Sequence, residues 1–179
     1  MNDYYVNLYD SFFDEITLRT LERKLKKIEF YDCPSHKQKF KSENNWPGLR
    51  SAELIEYHKD ISDIILQRLG KQYPFNSSKE FSGTLFAHYR FDRNKESDWI
   101  HQDPVDTGVI IYMSETNLTS GTNFYENIDD DKEDNSLSVK YVKNRAMIFN
   151  GNKPHAPFGS FGTNIENGRL TINGFFQSK

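Results

Sequence analysis

Residues 99–104 of the chain, Trp-Ile-His-Gln-Asp-Pro, place a histidine and a carboxylate two positions apart. In an extended segment, side chains at positions i and i+2 point to the same side, so His101 and Asp103 can reach one metal ion together. A third ligand must come from elsewhere in the chain. The best candidate is His155, which lies 54 residues after His101. The sequence therefore predicts a metal site built from two histidines and one aspartate.

The C-terminal segment adds a second signal to this metal site. Two histidines and one carboxylate on one side of a metal leave the opposite positions open, as is typical of non-haem Fe(II) oxygenases. Arg169 and Thr171 share one side of a predicted strand, 14 and 16 residues after His155. A guanidinium pairs with a carboxylate through two parallel hydrogen bonds, and a nearby hydroxyl adds a donor. This pattern predicts an anionic co-substrate that also chelates the metal.

The composition limits the class of protein. A chain of 179 residues is long enough for a substantial core, and we expect a single domain over residues 1–179. The formal net charge of −3 gives no reason to expect a nucleic-acid partner. One cysteine, Cys33, fits a reducing compartment. We find neither a signal peptide nor an apolar run of membrane-spanning length, so we expect a cytoplasmic protein without a membrane partner.

The first part of the chain is predicted to be mainly helical. Apolar residues recur at helical spacing over residues 10–28 and again over residues 51–69, where Gly70 can end the second helix. Between the two helices, residues 33–50 have the composition of a polar loop punctuated by proline and glycine. Residues 1–78 are thus predicted to form a helical lead-in to the rest of the domain.

The pattern changes after residue 78 to short β-prone runs separated by glycine, asparagine and aspartate. About eight strands are predicted, near residues 83–91, 99–101, 108–113, 122–125, 137–141, 146–149, 155–158 and 169–177. Strands in this number after two helices predict a mostly β fold, in which residues 79–179 form a double-stranded β-helix, or jelly roll, with the N-terminal helices packed on one sheet. The acidic run 129–134 is predicted to be a solvated or disordered hairpin tip.

Short motifs between residues 81 and 176 occur in an order shared with one known family. In chain order they are Ala-His-Tyr-Arg at 87–90, His-Gln-Asp at 101–103, Val-Ile-Ile-Tyr-Met-Ser-Glu at 109–115, Ser-Gly-Thr-Asn-Phe-Tyr at 120–125, Arg-Ala-Met-Ile-Phe-Asn-Gly at 145–151 and Arg-Leu-Thr at 169–171. Together they resemble the 2-oxoglutarate- and Fe(II)-dependent oxygenases, particularly the prolyl-hydroxylase-like branch. Ser120 stands where the family usually has the first of two glycines. Residues 46–50, Trp-Pro-Gly-Leu-Arg, resemble an entry segment of a little-characterised subgroup.

The resemblance implies roles for the residues already singled out. His101, Asp103 and His155 would hold Fe(II). Arg169, assisted by Thr171, would bind the distal carboxylate of 2-oxoglutarate, and O₂ would be the other co-substrate.

The resemblance also implies two further donors to the co-substrate, the hydroxyls of Tyr89 and Tyr112. Core packing is the alternative for both tyrosines. His88 neighbours Tyr89 on a strand and must point to the opposite side. With Tyr89 facing the pocket, His88 is therefore left out of the metal site.

The implied activity is hydroxylation of a C–H bond in a protein side chain or small metabolite, with release of succinate and CO₂. The carboxylate of Asp103 favours hydroxylation over halogenation, because halogenating relatives leave that position empty for a halide. Two alternatives stay open: a jelly-roll binding module without turnover, and a cupin-type metalloenzyme without 2-oxoglutarate, which has no use for Arg169. The sequence leaves open whether the substrate is a small molecule or a peptide, and it leaves the oligomeric state open.

Overall fold

The computed structural model describes residues 5–41, 45–97 and 99–179. Within them lie four α-helices, ten strands and one short 3₁₀ helix. The helices are α1 (Glu15–Leu25), α2 (Cys33–Phe40), α3 (Leu54–Tyr57) and α4 (Lys59–Leu69), and the 3₁₀ helix is Asp92–Ser97. The strands are β1 (Val6–Tyr9), β2 (Phe30–Tyr31), β3 (Leu49–Ser51), β4 (Phe81–Arg90), β5 (Thr107–Tyr112), β6 (Asn117–Phe124), β7 (Leu137–Tyr141), β8 (Ala146–Asn150), β9 (His155–Phe158) and β10 (Arg169–Ser178).

The first helix begins later than its apolar spacing predicts. The Asp14 side chain accepts a hydrogen bond from the Thr17 N–H at 2.9 Å and so caps α1. The backbone of Phe13, just before this cap, makes no helical hydrogen bonds but pairs with the Asn144 side chain. The Phe13 N–H donates to Asn144 Oδ1 at 2.9 Å, and Phe13 O accepts from Asn144 Nδ2 at 2.8 Å. Residues 10–13 therefore fasten the lead-in to the turn before β8 instead of extending the helix.

The second predicted helix is interrupted, and the predicted loop before it contains a helix. His58 takes a non-helical conformation (φ −137°, ψ 56°) between α3 and α4. In the predicted loop 33–50, of which residues 42–44 lie outside the described residues, Asp32 caps α2 through the Ser35 N–H at 2.9 Å. Pro34 falls in the first turn of α2, where its missing N–H costs no helical hydrogen bond.

The strands form two antiparallel sheets. The larger sheet has the order β1-β8-β5-β10-β4-β3-β2, and the smaller has the order β7-β6-β9. The N-terminal strands β1, β2 and β3 join the larger sheet, so the lead-in completes the sheet as well as covering it. The predicted strand 99–101 is reduced to a single bridge at His101. The exposed acidic run 129–134 connects β6 to β7, as predicted for a solvated tip.

The two sides of the larger sheet are buried against different partners. On β4, Leu85, Ala87 and Tyr89 belong to a core that includes the helical residues Leu21 and Ile65. On the other side of β4, His88 lines a cavity that Thr122 and Pro157 of the smaller sheet also line. The jelly roll with helices packed on one sheet is therefore confirmed, and the space between the sheets is where polar side chains gather. No helix of the described residues is long and apolar enough to cross a membrane.

Candidate metal centre

The structure brings the predicted metal ligands together at one end of the inter-sheet space. His101 and His155 form a backbone bridge, in which each N–H donates to the other's carbonyl at 3.0 and 2.9 Å. The Asp103 N–H donates to Gly151 O at 2.9 Å, which fixes the third ligand beside them. One ligand atom from each of the three side chains lies within 4.8 Å of the others, and His155 Nε2 lies 3.6 Å from Asp103 Oδ2.

Both histidines are held in the tautomer that a metal requires. His101 Nδ1 lies 3.1 Å from Trp99 O, and His155 Nδ1 lies 2.9 Å from Lys153 O. A carbonyl oxygen only accepts, so each Nδ1 carries the proton and each Nε2 keeps its lone pair. Backbone carbonyls commonly orient metal-binding histidines in this way. The residues present therefore fit a divalent transition metal bound through two Nε2 atoms and one carboxylate.

Burial shifts the pKa of His155 and that of Asp103. Burial, helped by the nearby His101, lowers the pKa of His155 to about 3, so its imidazole is neutral at neutral pH. Burial also raises the pKa of Asp103, while His101 and Arg50 act in the opposite direction. A buried carboxylate with a desolvation cost gains by binding a cation, so both effects favour an occupied site.

A cavity of about 600 Å³ extends from the three ligands between the sheets. Arg169 lines it from β10, and Thr171 lines it two residues further along the same side. The Arg169 Nη2 donates to Gly121 O at 3.1 Å, whereas Nε is buried and has no hydrogen-bond partner. Gly121 is required for the approach of β6 to β7, because a Cβ there would lie 2.1 Å from Val139 O. The unpaired Nε and the cationic group fit a carboxylate in the cavity.

The two tyrosines predicted to assist Arg169 do not line the cavity. The ring of Tyr89 stacks parallel to Phe91 and packs on Phe30 at 4.8 Å between centroids, on the helical side of the sheet. The predicted contact between Tyr89 and a co-substrate is therefore wrong. Tyr112 is fully buried, and its hydroxyl donates a hydrogen bond to Thr122 Oγ1 at 2.9 Å. The centroid of its ring lies 5.6 Å from the central carbon of the Arg169 guanidinium, so the ring packs against that group.

His88 faces the cavity in place of Tyr89, since the two alternate along β4. The His88 Nε2–H donates to Pro47 O at 2.6 Å, which leaves Nδ1 to accept from the Asn173 side chain at 3.5 Å. Burial holds the pKa of His88 well below its usual range, and the nearby Arg50, Arg90 and Arg169 add to the shift. His88 is thus a neutral hydrogen-bonding residue in a cationic wall.

Replacing His88 with glutamine is expected to make stability less sensitive to acid. The imidazole of the unfolded chain gains a proton as the pH falls below about 6.5, whereas folded His88 stays neutral. Its stabilising contribution is therefore present above that pH and lost as the pH falls. Between about pH 6 and 5, the free energy of unfolding should fall about 1 kcal/mol per pH unit more steeply in the wild type than in His88→Gln. Urea unfolding across this range measures the difference, and equal slopes would contradict it.

Two further arginines line the cavity, and the sequence predicted no role for either. Arg90 donates to Ser160 Oγ and Asn94 O, both at 3.1 Å. Arg50 lies on β3, a three-residue strand that was predicted to be loop. The only sequence signal for Arg50 was its place at the end of the Trp-Pro-Gly-Leu-Arg segment.

No protein-family model and no curated protein matches the sequence. Solved structures do match the fold. HygX from Streptomyces hygroscopicus, crystallised with nickel and 2-oxoglutarate, superposes with a TM-score of 0.65 at 10% identity over 96% of this chain and 82% of its own. A prolyl-4-hydroxylase from Pseudomonas putida gives a TM-score of 0.56 at 12% identity over 99% and 94% of the two chains. The chain has the fold of the 2-oxoglutarate- and Fe(II)-dependent oxygenases.

The structures that share this oxygenase fold differ in their reactions. SnoN, a non-haem α-ketoglutarate-dependent epimerase from nogalamycin biosynthesis, matches with a TM-score of 0.59 at 10% identity over 96% of this chain and 78% of its own. Hydroxylases and an epimerase thus share the oxygenase architecture seen here. The fold alone therefore does not identify the reaction, which depends on the residues of the site.

Proposed function

We propose that this protein is an Fe(II)- and 2-oxoglutarate-dependent dioxygenase that hydroxylates a C–H bond. One observation carries the proposal: a three-ligand set with both imidazole Nε2 atoms free shares a cavity with a buried guanidinium whose Nε has no partner. His101, Asp103 and His155 would hold the metal. Arg169 would bind the distal carboxylate of 2-oxoglutarate, with the Thr171 hydroxyl beside it.

The bound metal and 2-oxoglutarate would supply O₂ activation, with succinate and CO₂ as by-products. The chain's own contribution is orientation and exclusion of water. Val109, Ile110 and Phe149 line the cavity with apolar surface near the ligands, and such a lining strengthens the charged contacts made inside it. Asp103 would occupy the ligand position that a halide would need, which favours transfer of a hydroxyl group.

The site also weighs against the two alternatives. A binding module without turnover has no need for two histidines oriented through their Nδ1 atoms. A cupin-type metalloenzyme without a 2-oxo acid leaves the buried Arg169 with an unsatisfied N–H, which is costly. Hydroxylation and epimerisation begin from the same metal and co-substrate, so the choice between them rests on product analysis.

The test is an anaerobic titration of the metal-free protein with Fe(II) and 2-oxoglutarate, followed by visible absorption. We expect a weak charge-transfer band that needs both components. Admission of O₂ should then release succinate even without substrate. Iron binding without a band on addition of 2-oxoglutarate would favour the cupin-type metalloenzyme, and absence of iron binding would favour the binding module.

A further inference from the structure

Arg50 lines the same cavity as Arg169, but it lies on a different strand and at a distance from Arg169. In the strand register, Arg50 on β3 pairs with His88 on β4, which pairs with Thr171 on β10. Paired residues of neighbouring strands point to the same side of a sheet, so these three side chains form one row on the cavity wall. Two strand spacings separate the ends of that row, which is roughly 10 Å. Arg50 and Arg169 therefore face different parts of the cavity.

The Arg50 guanidinium is held by aromatic rings. Its central carbon lies 4.1 Å from the centroid of the Trp46 ring and 5.1 Å from that of Phe86. Stacking on aromatic rings fixes the orientation of an arginine and leaves its in-plane N–H edge available. All three residues line the cavity. The group is thus placed before any ligand arrives.

The Arg50 guanidinium has no hydrogen bond or ion pair among the described residues, and its Nε is buried without a partner. Burial lowers its pKa to about 10, so the group is still cationic at neutral pH, and the charge of Asp103 opposes the shift. Arg50 is partly buried, and a buried N–H without a hydrogen-bonded partner is costly. An anion that enters the cavity and pairs with Arg50 would offset this cost.

2-Oxoglutarate does not account for Arg50. The proposed function engages one end of that molecule at the metal and the other at Arg169, which lies on β10. The charge count points the same way: the described lining has three arginines and one aspartate, and a divalent metal and a doubly negative co-substrate cancel each other. A positive excess remains after both are bound. Arg90 donates to the neutral oxygens of Ser160 and Asn94, whereas the buried Arg50 Nε has no acceptor, so Arg50 offers the unsatisfied donor to an anion.

We propose that Arg50 binds a carboxylate of the primary substrate, so the substrate is a small carboxylic acid; this rests on the proposed function. A carboxylate matches the planar N–H edge that the rings leave available. Trp99 and Phe175 also line the cavity and provide surface for an apolar body. A volume of about 600 Å³ lies in the range of small-molecule sites.

The experiment compares carboxylic acids with their primary amides, which have the same shape but no charge. A panel of such pairs with aromatic, aliphatic and acylated amino-acid bodies is titrated anaerobically into the protein loaded with Fe(II) and 2-oxoglutarate. The readout is tryptophan fluorescence, because both tryptophans of the chain, Trp46 and Trp99, line the cavity. At least one acid should bind about tenfold or more tightly than its amide, as expected for hydrogen bonds to a charged group.

Arg50→Met should abolish the preference for the acid while leaving the charge-transfer band of Fe(II) and 2-oxoglutarate in place. Arg50→Lys should retain part of the preference. The matched control is Arg93→Met, since Arg93 also packs over a ring, that of Phe91 at 4.6 Å, but does not line the cavity. This control should behave as the wild type.

Two results would overturn the proposal. One is an absence of acid-over-amide preference throughout the panel. The other is a loss of the charge-transfer band in Arg50→Met as large as the loss of acid binding, which would make Arg50 a co-substrate residue. If the wild type gives no band at all, the proposed function fails. The acid-amide comparison with metal alone then decides the role of Arg50 separately.

Discussion

Replacing His155 with alanine is expected to lower Fe(II) affinity by more than about 100-fold, which exceeds the usual effect of a residue that only supports a ligand. The substitution removes one of the three proposed ligands, and neither of the other two can take its place. The charge-transfer band with 2-oxoglutarate should disappear with the iron. A colorimetric Fe(II) competition assay under anaerobic conditions measures the first effect, and visible absorption measures the second.

The control for His155→Ala must separate lost ligation from lost packing. The His155 ring packs on Phe149 at 4.8 Å and on Phe124 at 5.9 Å between centroids, so alanine also leaves a gap in the core. His155→Gln fills more of that space and should still fail to bind Fe(II) tightly. His58→Ala, at the junction of two helices, should bind as the wild type does. Wild-type affinity in both His155 variants would remove His155 from the metal site.

Replacing Arg169 with methionine is expected to weaken 2-oxoglutarate binding by about 100-fold and to leave Fe(II) binding unchanged. The change removes a buried charged partner of the co-substrate carboxylate, and such truncations cost about 2–5 kcal/mol. Methionine keeps most of the aliphatic stem of Arg169 and removes the guanidinium that lies over the rings of Tyr112 and Tyr141. The loss should therefore be one of charge and hydrogen bonding.

The measurement for Arg169→Met is the charge-transfer band as a function of 2-oxoglutarate concentration at saturating Fe(II). Arg145→Met is the matched control, because Arg145 pairs at the protein surface with Asp10, at 2.6 and 3.0 Å, and does not line the cavity. An unchanged 2-oxoglutarate titration in Arg169→Met would assign the co-substrate to another part of the cavity. It would also strengthen the cupin-type alternative.

The grouping of the three proposed metal ligands was predictable because their chemistry is local. The two-residue spacing of His101 and Asp103 fixes their shared direction in any extended segment, and few other histidines compete for the third position. Arg169 followed from the same argument on β10. What the sequence could not supply was the backbone bridge between His101 and His155, because hydrogen bonds across 54 residues leave no mark in composition.

The direction of β4 could not be predicted for a physical reason. Alternation shows that His88 and Tyr89 point to opposite sides, but both sides of this strand are buried, so hydrophobicity does not say which side meets the helices. Tyr89 was placed on the wrong side in consequence. The break at His58 could not be predicted for a related reason. The apolar spacing continues across α3 and α4, although the helical backbone is interrupted at His58.

Arg50 illustrates a third limit, since its setting depends on several segments at once. Strand β3 is only three residues long, too short for a periodic pattern. Gly48 is a clearer sequence signal for the position of this segment than the strand is. Its φ is +90°, and a Cβ at this position would lie 2.0 Å from Tyr89 O, so only glycine fits. The glycine lets the segment run close against β4, and this places Arg50 on the cavity wall.

The bridge between His101 and His155 also brings two distant parts of the chain together. The two backbone hydrogen bonds between these residues hold together the ends of the segment 102–154. The connection between β6 and β7, with its acidic run 129–134, lies within this segment and at the surface. Insertions and deletions there can reshape the exterior of the molecule while the bridge holds its register. Changes in this surface connection can thus leave the paired backbone at His101 and His155 in place.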